Sequence, residues 1–161
     1  TLILDLPPGT GDIQLTLTQK IKITGAIIVT TPQDIALSDV RKGADMFKKV
    51  NTPVLGVIEN MSGLQLSGRT TKPDSKIQIE DQELEVDTKG NFNLSIDIFK
   101  KDGGQKESER LGVPLLAKIP LSKEIMSATD SGTPIVVSGR DSSAGKVYFN
   151  LADQILELIE N

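Results

Sequence analysis

Four short apolar runs constrain this chain more than anything else in it: Thr1-Leu2-Ile3-Leu4-Asp5, Gly25-Ala26-Ile27-Ile28-Val29-Thr30, Pro53-Val54-Leu55-Gly56-Val57-Ile58 and Val113-Pro114-Leu115-Leu116-Ala117-Lys118-Ile119. Runs with so little polar alternation suit strands covered on both faces, as in a parallel sheet. Helical patterns fall between them, as parallel connections require. Asp12 to Lys22 reads as a helix capped by Asp12. From Gln33 to Val50, Ile35, Ala36, Val40, Ala44, Phe47 and Val50 recur at three- and four-residue steps opposite Asp39, Arg41, Lys42, Asp45, Lys48 and Lys49. Gly104 to Leu111 stops at Gly112, and Ser122 to Ser131 is capped by Ser122 and stops at Gly132. Lys146 to Glu160 carries Val147, Leu151, Ile155, Leu158 and Ile159 on one face of a last helix.

One segment departs from this rhythm. Between Leu64 and Lys100 the apolar residues alternate with period two: Ile77 and Ile79, Leu84 and Val86, then Phe92, Leu94, Ile96 and Ile98. Such alternation predicts antiparallel strands with one wet face, a hairpin or three-stranded meander inserted at 64–100. Asp87-Thr88-Lys89-Gly90 has turn chemistry, and Ser67 to Ser75 reads as an exposed loop. The expected fold is therefore α/β, a mostly parallel sheet with helices on both faces, incomplete at the N-terminus. It forms a single partial domain over 1–161 that contains the insertion.

Composition narrows the chemistry. The 161 residues include no cysteine and no histidine, which removes disulfides, thiolate metal ligands, a cysteine nucleophile and an imidazole base. Any metal must be held by oxygen. With 18 basic and 22 acidic residues, a net charge of −4 and a pI near 4.9, no uniform positive field draws in a phosphate backbone, so nucleic acid is not the expected partner. The apolar runs are far shorter than the ~20 residues of a membrane span, and no signal-peptide pattern opens the chain. No membrane partner is expected, and the expected location is cytoplasmic.

The strand that ends at Asp5 runs into Leu6-Pro7-Pro8-Gly9-Thr10-Gly11-Asp12. An acidic residue at the carboxyl end of a parallel strand can hold a Mg2+-bound water, and the glycines beyond it let backbone N–H groups approach a terminal phosphate. Local pattern alone equally allows a rigid strand-to-helix turn. The ordered blocks DLPPGTGD, VTTPQDIAL, PVLGVIENMSG and GGQKESERLGVPLLAKIPL together resemble the C-terminal portion of the Mrp/ApbC family. These are P-loop ATPases of the MinD-like, deviant Walker A group, of the iron–sulfur cluster carrier type. The resemblance covers nearly all of the chain outside Ser67 to Ser95.

What the resemblance implies is specific. Asp5 matches the Walker B aspartate that positions Mg2+ through water, and Gly9 matches the glycine whose N–H faces the γ-phosphate. Asn60, just past the third apolar run, matches a residue whose amide can donate to and accept from an adenine edge, although an asparagine making a turn has the same local signature. Pro120 matches a position flanking the base, and also suits the end of a buried strand. Where the family has aspartate after Ile-Pro-Leu, this chain has Ser122. The implied cofactors are ATP and Mg2+ for the full-length protein. The implied assembly is a homodimer, with iron–sulfur client or scaffold proteins as partners.

Two departures qualify the picture. The family's P-loop lies upstream of the Walker B strand and is expected outside this chain, so the chain alone is expected to be inactive while the complete protein hydrolyses ATP. The nearest imitation, Gly139 to Val147, has five residues between its glycines where the motif has four, and ends in valine, which cannot ligate Mg2+. The family's Cys-x-x-Cys after Glu-Asn-Met-Ser is also absent, and the cysteine-free insertion stands in its region. Its carboxylates Glu80, Asp81, Glu83, Glu85 and Asp87 read as a solvated hairpin face.

The resemblance thus leads to an ATPase that assembles or transfers iron–sulfur clusters, the cluster itself lacking thiolates in this chain. Two alternatives stay open: a cysteine-free, nucleotide-switched binding module, and a MinD- or ParA-like positioning ATPase. Without the P-loop strand, the Leu2 to Asp5 strand is expected to pair directly with Ala26 to Thr30 or to be completed by another chain.

Overall fold

The computed structural model describes residues 1–7 and 12–160. Its elements are α1 (Asp12–Lys20), β1 (Ala26–Thr30), α2 (Asp34–Lys49), β2 (Val54–Arg69), β3 (Lys76–Ile79), β4 (Gln82–Glu85), β5 (Asn91–Ile96), α3 (Gly103–Leu111), β6 (Leu115–Ser122), α4 (Lys123–Asp130), α5 (Ile135–Ser138) and α6 (Ser143–Glu160). Three of the apolar runs become the parallel strands β1, β2 and β6, with β2 central.

Because side chains alternate along a strand, the two faces of this sheet gather different partners. Ala26, Ile28 and Val57 join Ala44, Met46 and Phe47 of α2 in one core cluster. Ile58, Leu116 and Ile119 join Leu151 of α6 in another, with Ile27 packed against it. Helices therefore cover both faces, which is why the strands are apolar without alternation. The α2 stripe is rotated from the one the periodicity predicts. Leu37 and Met46 are buried while Ile35 is exposed, because α2 also packs against α3 and the face it buries follows both neighbours. On α6, Val147, Leu151 and Ile155 pack as expected, but Leu158 is exposed beyond the end of the sheet contact.

The first apolar run behaves differently. Residues 1–7 form no strand, and Leu2 and Ile3 are each 81% exposed. The expectation of a buried strand, and of direct pairing with Ala26 to Thr30, is corrected. Apolar content favours a strand only where a ladder partner exists, and among the described residues β1 pairs with β2 alone. Leu6 does pack against the α2 cluster, and the Gln14 side-chain amide donates to the Pro7 carbonyl.

The insertion is built differently from a self-contained meander. β2 continues through Arg69, so Ser67 to Arg69 are strand where a loop was expected, and β5 pairs antiparallel with it from Leu64↔Ile96 to Arg69↔Asn91. β3 and β4 form a separate two-stranded hairpin. Long-range pairing with a strand already anchored in the sheet outweighs the local polar, glycine-containing signal. The carboxylates Glu80, Asp81, Glu83, Glu85 and Asp87 are exposed, as read.

Candidate nucleotide-base site

β1 ends level with Glu59 of β2, and one residue further along β2 the ladder to β6 is interrupted, near the carboxyl edge of the parallel part of the sheet, where open parallel sheets bind ligands. The β2–β6 register sets Asn60 opposite Ile119, one residue from Pro120. The two candidate base contacts, 60 positions apart in sequence, thereby come to the same level of neighbouring strands, each half-buried, but alternation turns Asn60 with Ile119 to one face of the sheet and Pro120 to the other. Directly after Asn60 the ladder breaks: pairing with β6 resumes only at Leu64, Met61 takes φ 57° and Gly63 takes φ 117°. The Asn60 Oδ1 accepts from the Met61 N–H at 2.9 Å, which leaves the amide's two N–H donors for another acceptor. The turn reading and the base reading of Asn60 are thus compatible in one side chain.

Ser122 has a defined task. It is buried at the end of β6, and its Oγ accepts from the Ile125 N–H at 3.1 Å, capping α4. A helix cap is a job that serine and aspartate share, so the departure from the family's aspartate preserves the local structure.

Beside this strand end is a cavity of about 240 Å3 whose floor includes Glu59 and whose wall includes Pro32, Gly63 and Lys118. Glu59 is 2% exposed, and its Oε2 accepts from the Gly104 N–H at 2.6 Å. Lys118 Nζ meets Asp102 Oδ1 at 2.6 Å. The hydrogen bond from Lys118 holds the Asp102 carboxyl below its ordinary range, and Asp102 in turn raises Lys118. Lys101 is raised by its hydrogen bond with Asp97, and Asp34 is lowered by Lys100. The rim is a set of matched charges, not a free positive field.

Sequence reasoning missed Glu59, Gly104 and Lys118. One signal was available: Glu59 is the first charge after six uncharged residues of the third apolar run, and a charge that continues a buried strand needs a buried partner.

The phosphate side is different. Asp5 is exposed on the irregular 1–7 segment, and the structure does not bring it to Asn60 and Pro120 as a sheet neighbour. Gly9 lies outside the described residues. The Gly139 to Val147 imitation is closed on itself: Ser142 Oγ donates to the Gly139 carbonyl at 2.7 Å and accepts from the Gly145 N–H at 3.0 Å. The N–H groups of Gly139, Ser142, Gly145 and Lys146 are all spent on bonds within the segment or to the preceding helix, where a phosphate cradle needs free donors. The described residues thus offer free amide donors at Asn60 and no cradle for phosphates. They also contain no group of three or more His, Cys, Asp or Glu side chains able to hold a metal ion, and no helix long and apolar enough to cross a membrane.

Comparison with known proteins gives the family and the fold. The ParA family, described as NUBPL iron-transfer P-loop NTPase, matches residues 1–83 and 82–156. An iron-sulfur cluster carrier protein of Pseudomonas fragi is 42% identical over 94% of this chain and 45% of its own length. The iron-sulfur cluster transfer protein NUBPL of Mus musculus is 39% identical over 99% of this chain and 43% of its own. The chain thus spans less than half the length of these relatives. Among solved structures, the cell division ATPase MinD of Pyrococcus furiosus superposes with a TM-score of 0.55 at 24% identity, covering 84% of this chain and 43% of that one. A nucleotide-binding protein from Archaeoglobus fulgidus in complex with ADP gives 0.52 at 27% identity, over 79% and 43%.

Proposed function

Because this chain belongs to the ParA family of NUBPL-type iron-transfer P-loop NTPases, we propose that it is the base-binding part of a Mg-ATP-dependent protein that assembles or transfers iron–sulfur clusters. The observation that carries this reading is the parallel register of β2 and β6, which brings the peptides of Asn60 and Pro120 to the same level of neighbouring strands, where the β2–β6 ladder breaks. Asn60 is the donor to the base and Pro120 its apolar flank. ATP and Mg2+ are the cofactors of the complete protein, with Asp5 and Gly9 at the phosphate end. That end rests on the family resemblance. The cluster is cargo for client or scaffold proteins. Cytoplasmic location, homodimeric assembly and an inserted unit at 64–100 within one partial domain belong to the same reading.

The names of the relatives support cluster transfer, while the absence of cysteine and histidine from all 161 residues favours a second reading, a nucleotide-switched module that binds a client without holding the cluster on this part of the chain. The MinD likeness supports the fold.

The test uses the complete protein. Asn60→Ala should weaken ATP binding about tenfold, the cost of losing a buried hydrogen-bond partner, and should leave Mg-tripolyphosphate, which has no base, unaffected. ATP-dependent cluster delivery to an apo client separates the two readings. Equal ATP affinity for Asn60→Ala and the parent protein would sink the base assignment.

A further inference from the structure

The start of α3 touches all three parallel strands, at Pro32 just past β1, at Glu59 of β2 and at Lys118 of β6. A Cβ built on Gly103 would lie 2.7 Å from the Pro32 carbonyl oxygen, just past β1, and one on Gly104 would lie 2.7 Å from the Glu59 Cβ on β2. Only glycine fits such approaches. The Gly104 N–H donates to Glu59, and Asp102 pairs with Lys118 on β6. The two candidate base contacts are next to these anchors: Asn60 follows Glu59, and Pro120 is two residues beyond Lys118.

We propose that Glu59 is a positioning residue for base recognition, pinning the peptide that carries Asn60 to the root of the 64–100 insertion. This deepens the base reading of Asn60 and rests on it. Successive strand residues point to opposite sides, so Glu59 turns into the interface with α3 while Asn60 turns away from it. On its C-terminal side Asn60 has no regular ladder to fix it, because pairing with β6 breaks until Leu64 and Met61 and Gly63 adopt positive φ. The anchor must come from the N-terminal side, and Glu59 is the neighbouring residue there with a buried partner. Asn60 is then correctly set only while Asp102, Gly103 and Gly104 are docked, which links base binding to the position of the insertion.

The experiment compares ATP with Mg-tripolyphosphate on the complete protein by titration calorimetry. Glu59→Ala should weaken ATP about tenfold while tripolyphosphate stays within about twofold. Glu59→Gln, whose amide oxygen still accepts from Gly104, should restore ATP binding. Gly104→Ala keeps the carboxylate but displaces the helix start, and should give the same base-specific loss, which covers the case of an unfolded Glu59→Ala. Equal losses for both ligands, no loss in folded Glu59→Ala or Gly104→Ala, or failure of Glu59→Gln to rescue would each overturn the proposal. If Asn60→Ala itself changes nothing, the base reading fails and this proposal falls with it. If Asn60→Ala loses ATP and Glu59→Ala does not, the link through Glu59 alone is wrong.

Discussion

Glu107 on α3 has no exposed side-chain surface, and Arg41 on α2 meets it with Nε 3.1 Å from Oε2. Arg110, one turn along α3, holds the other oxygen at 2.6 Å and also approaches Asp45 at 3.6 Å. The two helices are thus joined by a buried carboxylate shared between two guanidinium groups that reach solvent.

That asymmetry fixes the expected mutational costs. Arg41→Ala leaves a carboxylate oxygen buried without its charge partner, so urea denaturation should show a loss of about 2–3 kcal/mol. Glu107→Ala leaves two arginines that reach solvent and a small void, and should cost about 1–2 kcal/mol. A smaller loss for Arg41→Ala than for Glu107→Ala would show that the freed oxygen finds another donor.

Two glycines should respond in opposite directions to the same substitution. Gly43 lies inside α2 with open space around its Cβ position, so Gly43→Ala should stabilise the fold by about 0.5–1 kcal/mol through helix propensity and a less flexible unfolded chain. Gly104→Ala forces a Cβ into the Glu59 side chain and should destabilise by about 1–3 kcal/mol. A pair of thermal melts distinguishes the two, and a stabilised Gly104→Ala would mean that α3 starts further from β2 than described.

The Asp87 turn should loosen in acid. Its carboxylate accepts from the Asn91 side chain at 2.9 Å, and from the Asn91 and Lys89 N–H groups at 2.7 and 2.8 Å. These bonds, the Asn91 side chain first, hold its pKa below the ordinary value. A depressed folded-state pKa contributes stability that is complete above the unfolded value and is lost as pH falls through the folded one. Amide exchange at Lys89 and Asn91 should therefore stay slow at neutral pH and rise, relative to neighbouring amides, below the ordinary carboxylate range. In Asp87→Asn this acid-dependent rise should vanish. A rise of equal size in the variant would assign it elsewhere.

Reconstitution of this chain alone with iron and sulfide under anaerobic conditions should leave no stoichiometric cluster, because 161 residues offer neither thiolate nor imidazole. Visible absorbance and iron content after desalting measure it directly. A stable cluster on the isolated chain would require ligation by oxygen alone and would reverse the expectation.

Much of this architecture was legible from the order of residues. Three apolar runs became β1, β2 and β6, and the helix limits at Gly112 and Ser122 follow from left-handed geometry and chain-local capping. Such features depend on neighbours a few residues away, so the sequence carries them. Asn60 and Pro120 were also nameable as candidates in advance, through motifs. What only tertiary structure decided was which strands lie side by side and what supports the peptide at Asn60. Leu2 to Leu4 looks like a strand locally and is none, because a strand exists only with a ladder partner. Ser67 to Arg69 looks like a loop and is a strand, because β5 pairs with it. The charge of Glu59 after an apolar run calls for a buried partner, but nothing local names Gly104 as that partner or brings Asp102 to Lys118. Their contacts span 45 and 16 positions, and a hydrogen bond between distant residues is fixed by where the sheet and helix bring the backbone, which no short stretch of sequence specifies.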